Sequence, residues 1–245
     1  MSTTWSYTRS ITFILQMYLM MAIMALLFLI PAIASPEGAR LACRTYARYV
    51  RWTASWWVGI RSEIRGQVPQ GEVIIAAKHQ SFLDIILIFG ALPRPKFIMK
   101  RILLWSPILG QYAYRLGCVP VNRGGRAKAV AKMVADVEAG RADPGQLCIY
   151  PQGTRVAPGA HAPYKVGTAI LYEQLGQPCV PVATNVGLFW PKRGLRRTPG
   201  LAVVKFLPTI PPGLEKEAFM ARLESDVESH SNELMAEGGL HLDAE

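Results

Sequence analysis

"EVIIAAKHQSFLDIILIFG", residues 72–90, sets one apolar run against another across a short polar break. The first run, 72–77, is rich in β-branched residues and too short for a helix, so it reads as a buried strand; 82–90 reads as the helix that follows. The break carries Lys78, His79, Gln80 and Ser81 and falls at the carboxyl end of that strand. The same alternation continues downstream. Strands are expected at 96–100, 118–122, 147–150, 179–186 and 201–207, with helices at 103–117 (interrupted near Pro107), 127–140, 165–176 and along "EKEAFMARLESDVESHSNELMAEG" at the end. Such alternation predicts an α/β fold with a mixed, largely parallel sheet flanked by helices.

Open α/β sheets bind ligands outside the carboxyl ends of their strands. Three polar clusters are expected on that rim: His79, the pair Asn122 and Arg123, and "PQGTR" at 151–155. If His79 lies in the loop and Ser81 caps the helix, Asp84 is the third helical residue and "SFLD" fits a capping box. A carboxylate has two oxygens, so Asp84 can cap the backbone and still meet the imidazole. A histidine so paired can take a proton from an oxygen nucleophile. The chain has no G-x-S-x-G elbow, which points to a substrate hydroxyl as the source of that proton. In the third cluster Gly153 permits close backbone approach, Thr154 offers a hydroxyl and Arg155 a planar fork for phosphate. Arg123 could hold the same anion. His161, His230 and His241 read as solvated, and "KRGLRR" (192–197) as a solvated or membrane-facing basic loop.

The 245-residue chain is 51% hydrophobic yet carries a formal charge of +10. That combination favours an anionic membrane surface or a phosphorylated ligand over nucleic acid. Cys43, Cys118, Cys148 and Cys179 are scattered, which argues against a zinc site or a disulfide framework, so no metal is expected. From Ile11 to Ile30 twenty residues carry no charge and only Gln16 is clearly polar. At ~1.5 Å per residue a helix of this length matches a bilayer core of ~30 Å. Arg40, Arg44, Arg48 and Arg51 then recur at helical spacing, followed by Trp52, Trp56 and Trp57, the pattern of a basic interfacial helix. The expected organisation is a membrane anchor over 1–62, made of a hydrophobic helix 11–30 and an amphipathic helix 38–60, followed by a catalytic domain over 63–245. The excess of arginine after the hydrophobic run places that domain on the cytoplasmic side of an inner membrane.

"KHQSFLD", "GCVPVNR", "YPQGTR" and "CVPV", in this order and spacing, resemble the four motifs of the glycerolipid acyltransferases, specifically the 1-acylglycerol-3-phosphate O-acyltransferases. The resemblance runs from about Gly66 to Pro212. It implies that His79 is the general base and Asp84 its partner. It also implies that Arg123 and Arg155, with Lys100, Gln152, Gly153 and Thr154, serve the substrate. The implied reaction moves an acyl group from acyl-CoA or acyl carrier protein to lysophosphatidic acid, with no cofactor, at a membrane of anionic lipids. An acceptor such as lyso-ornithine lipid, and an esterase using water, remain alternatives. The chain departs from the family pattern at Gln152, where Glu is usual, and at Asn122, where an acidic residue is usual. Both changes remove negative charge beside the expected phosphate.

Overall fold

The computed structural model describes residues 3–122, 131, 132, 134, 135 and 144–240. Seven strands form one sheet: β1 (Ile60–Arg65), β2 (Ile74–Ala77), β3 (Pro95–Lys100), β4 (Val119–Val121), β5 (Gln146–Ile149), β6 (Cys179–Thr184) and β7 (Gly200–Phe206), in the order β1-β7-β6-β2-β5-β3-β4. Every pairing is parallel except β6 with β7. β2 through β6 therefore point one way, and β7 and β1 run against them. Crossovers explain the burial: β2, β5 and β6 are buried at every position, as strands covered on both faces must be.

Side chains alternate across β2. Ile75 and Ala77 enter one core with helix α4 (Leu83–Ala91), whereas Ile74 and Ala76 enter a second core. The second core is closed by helices α6 (Gly167–Leu175) and α7 (Lys216–Glu237), through Tyr172, Phe219, Leu223 and Val227. Between β3 and β4 the chain makes a 3-10 turn, Arg101–Trp105, and helix α5 (Leu109–Arg115), so the expected helix 103–117 is broken on either side of Pro107. Most of the expected helix 127–140 lies outside the described residues; 131, 132, 134 and 135 are helical.

The N-terminal segment is a hairpin. α1 (Thr3–Leu27) and α2 (Leu29–Ala34) turn at Ser35 into α3 (Pro36–Thr53), whose first turn is capped by the Ser35 side chain accepting from the Gly38 amide at 3.0 Å, with Pro36 at the first position. The corner is tight: a Cβ on Gly38 would lie 2.0 Å from the Pro31 carbonyl oxygen. α1 returns antiparallel along α3. Tyr46 donates to the Met17 carbonyl at 3.3 Å, Tyr49 donates to the Gln16 side chain, and Arg9 donates to the Trp57 carbonyl at 2.8 Å. Gln16, the amide in the hydrophobic run, thus has a partner on α3. Residues Thr4–Leu27 are long and apolar enough to cross a membrane, yet Phe13 and Met17 of the same helix are buried in the core that holds β2 and β6.

Two sequence expectations meet different geometry here. The boundary drawn between 62 and 63 falls inside β1, which a π-helical turn (Ala54–Val58) joins directly to α3. The arginine stripe does not form one open face. Arg40 is buried and paired with Glu37, and Arg44 donates to the Leu92 carbonyl at 3.2 Å and to that of Pro93, beyond the end of α4. Carbonyls leaving a helix need such donors. Arg48 and Arg51 join Arg61 instead, in a shallow pocket of about 340 Å³ with Trp52.

Candidate active site

Because β2 and β5 are neighbours in the sheet and β2 and β6 are too, the turns after β2 and after β5 meet side by side. The chain leaves β2 toward β3 on one side and leaves β5 toward β6 on the other, which makes this the switch point where a crevice opens. The antiparallel β7 adds a third contributor. Its entry, not its exit, lies on this rim, so the loop 189–199 comes back over it.

Asp84 is fully buried and accepts four hydrogen bonds. One oxygen takes the Gln80 amide at 2.8 Å and the Ser81 amide at 2.7 Å; the other takes His79 Nδ1 at 2.9 Å and the Tyr150 hydroxyl at 3.2 Å. The Ser81 hydroxyl accepts from the Leu83 amide at 3.1 Å. One carboxylate therefore shapes the helix entry with one oxygen and orients the imidazole with the other, leaving Nε2 as the nitrogen available to a substrate. Tyr150 stacks on the imidazole at 3.9 Å between ring centres and 18° between planes. Burial, and next to it the Asp84 charge, push its hydroxyl well above the usual phenol range, so it remains a donor to Asp84. The Val156 amide donates to the His79 carbonyl at 2.8 Å and ties the two turns together.

His79 opens into a cavity of about 630 Å³. Lys100, Thr154, Arg155 and Lys192 line the same cavity, and among the described residues no carboxylate does. Lys192 donates to the Arg155 carbonyl at 2.8 Å and lies 3.4 Å from the Thr154 hydroxyl. The rest is apolar: Phe82, Phe89 and Phe97 from the body, Met21, Met24 and Ala25 from α1, and Ala113 and Leu116 beside α5. Cys43 and Cys118 also face it, but burial pushes their thiols up to about 12 and about 11, which leaves them protonated and poor nucleophiles. Among the described residues no three His, Cys, Asp or Glu side chains gather as a metal site.

Of the residues singled out in the sequence, His79, Lys100, Thr154 and Arg155 share this cavity. Gly153 forms the turn that presents the last two, at φ +67. Gln152 is buried and does not line the cavity; its amide reaches the Ala162 carbonyl at 3.3 Å and Glu228 on α7 at 3.4 Å. Arg123 lies outside the described residues. Tyr150, Lys192 and Glu228 were not singled out. Tyr150 stands at a strand end just before a Pro-Gly turn, which is the only local signal among the three.

A family model described as Acyltransferase matches residues 59–185, which run from the start of β1 to the end of β6 and hold both turns. A 1-acyl-sn-glycerol-3-phosphate acyltransferase of Pseudomonas aeruginosa is 27% identical over 212 residues, covering 86% of this chain and 82% of that protein. The human 1-acyl-sn-glycerol-3-phosphate acyltransferase alpha is 30% identical over 158 residues, 62% of this chain and 56% of its own length. The fold matches the crystal structure of PlsC, the 1-acyl-sn-glycerophosphate acyltransferase of Thermotoga maritima, with a TM-score of 0.77 over 94% of this chain and 98% of that one, at 23% identity. The family match spans just over half of the chain and contains the paired His79 and Asp84, and the chain belongs to the acyltransferase family.

Proposed function

We propose that the chain transfers an acyl group from a thioester, acyl-CoA or acyl carrier protein, to the sn-2 hydroxyl of 1-acylglycerol 3-phosphate, giving phosphatidic acid. The observation that carries this reading is the make-up of the cavity: three cationic side chains and an imidazole set among apolar walls, with no carboxylate among the described residues. That surface complements a lipid with a phosphate head. The names of the relatives support the same acceptor.

In this mechanism His79 Nε2 removes the proton from the acceptor hydroxyl as its oxygen attacks the thioester carbonyl. Asp84 holds Nδ1–H and stabilises the imidazolium as it forms. The tetrahedral centre collapses, the C–S bond breaks, and the departing thiolate takes the proton back from the imidazolium. Arg155, Lys192 and Lys100 hold the phosphate; Arg123, outside the described residues, is a further phosphate ligand by the family resemblance alone. The chemistry needs no cofactor and no covalent acyl-enzyme.

The test is purified protein with an acyl thioester and a panel of lysolipids with and without a phosphate monoester. Lysophosphatidate should be acylated; preference for an ornithine lysolipid, or release of free fatty acid without any acceptor, overturns the assignment. Within that assay Arg155→Ala should raise the acceptor KM and spare the donor KM, at a loss of about 1.5–3 kcal/mol for a charge-assisted contact. Arg155→Lys should regain only part of it, for want of the fork. A raised donor KM with the acceptor KM unchanged would move Arg155 to the thioester side.

The work is proposed to take place at a membrane, with the body on the cytoplasmic side. Ile30 is 81% exposed and Trp105 82% exposed, and the pocket of Arg48, Arg51 and Arg61 beside Trp52 suits anionic headgroups. Binding to vesicles containing phosphatidylglycerol should therefore weaken as salt rises, while binding to phosphatidylcholine vesicles should not. Equal salt dependence on both would remove the basic pocket from the membrane contact.

A further inference from the structure

One carboxylate outside the cavity holds both catalytic turns from behind. Glu228, on α7, faces the sheet rim with 20% of its side chain exposed. Its Oε2 accepts from Lys78, and its Oε1 accepts from Tyr164 at 2.9 Å and from Gln152 at 3.4 Å. Lys78 is 2% exposed and immediately precedes His79; Gln152 is 3% exposed and immediately precedes the Gly153-Thr154-Arg155 turn. A buried ammonium needs a charged partner, and α7 is the element that supplies it. The same helix carries three further contacts to this rim: Ser231 to the Thr184 amide, the Leu234 carbonyl to the Asn185 side chain, and Met235 to Gln80.

We propose that Glu228 is the positioning residue of the site, fixing the distance between the base His79 and the phosphate-binding turn 153–155 by gripping the residue before each. The proposal rests on the acyltransferase reading for what the two turns do. It also accounts for Gln152: the negative charge absent at 152 is delivered through space by α7, and an amide at 152 can donate to it where a second carboxylate would repel it.

Two variants of the full-length protein test this. In Lys78→Met with Glu228→Leu, both charges leave together, a change a folded protein tolerates far better than stranding one of them. It should unfold near the wild-type temperature and yet lose roughly 10–100-fold in kcat, the order expected when catalytic groups shift by about an ångström. In Glu228→Gln with Gln152→Glu the carboxylate moves across the existing contact and Lys78 keeps a partner. This swap should recover most of the turnover that Glu228→Gln alone loses. Hydrogen exchange gives a readout independent of activity. The Val156 amide, bonded to the His79 carbonyl, should exchange faster in the double apolar variant, while amides of β6 and β7 stay protected.

Wild-type kcat in the apolar variant, failure of the swap to restore turnover in a protein of normal stability, or unchanged exchange at Val156 would each overturn the positioning role. If the wild-type protein does not acylate lysophosphatidate at all, it is the acceptor assignment that falls, and exchange at Val156 still decides the role of Glu228.

Discussion

His79→Ala should lower kcat by roughly 10²–10⁴ and leave the KM values of thioester and lysophosphatidate nearly unchanged, the loss typical of a missing general base. The geometry makes the expectation specific. The imidazole is held by Asp84 at 2.9 Å and by the face of Tyr150, so its removal deletes the proton acceptor without withdrawing support from the cavity walls. Asp84→Asn should also cut kcat severely, since the amide loses the charge that steadies the imidazolium. It should additionally cost stability, because a carboxamide has only one oxygen for four donors, two of them backbone amides. Ser81→Ala is the control, with one hydrogen bond to the Leu83 amide lost, about 1 kcal/mol of stability and near-normal turnover. If Ser81→Ala harmed turnover as much as His79→Ala, the segment would be a capped helix start and nothing more.

Phe13→Ala should cost about 3–5 kcal/mol, the range for emptying an aromatic site in a packed core. Phe13 is fully buried and meets Trp190 edge to face at 5.5 Å. Trp190 in turn packs against Phe82 of the cavity wall, so on the proposed function the loss should reach the cavity as a raised KM for long-chain donors. Leu19, on the same helix but 61% exposed, supplies the contrast: Leu19→Ala should leave thermal unfolding in detergent nearly unchanged. Equal, small effects at both positions would mean that α1 is only an anchor resting against the body.

Much of this was legible in the sequence because the evidence for it is local. The run 72–90 declares a strand, a loop and a helix by periodicity. The capping-box pattern points to Asp84 correctly but misplaces the helix start: Phe82, not Ser81, is the N-cap, Asp84 is the second helical residue, and the Ser81 hydroxyl meets the Leu83 amide instead. β1 escaped because "IRSEIR" is an edge strand, half solvated, and alternates charged with apolar residues only weakly. Lys192 falls in a run that reads as a solvated or membrane-facing loop, since nothing in the chain shows that β7 runs against β6; that reversal brings the loop back over the rim. Glu228 is one of many acidic residues on a polar helix, and its partners lie at 78, 152 and 164. The arginine stripe misled for the reverse reason. Its spacing is local, but the carbonyls that claim Arg44 belong to residues 92 and 93.

The pairing of β1 with β7 imposes an order on assembly. β1 leaves the ribosome directly behind the apolar hairpin, but its partner, Gly200–Phe206, is made only after β2 through β6. The strand cannot pair until β2 through β6 have been made, and closure over so long a stretch of chain is slow. Through that interval α1 displays Leu15, Leu19, Ile23 and Leu26 with no finished body behind it, the condition in which chains aggregate. Early contact with the proposed lipid surface would shield those side chains while synthesis continues. A lipid surface of the kind proposed above would serve such a chain as a folding partner before a workplace, and expression without a membrane should then fail at the hairpin first.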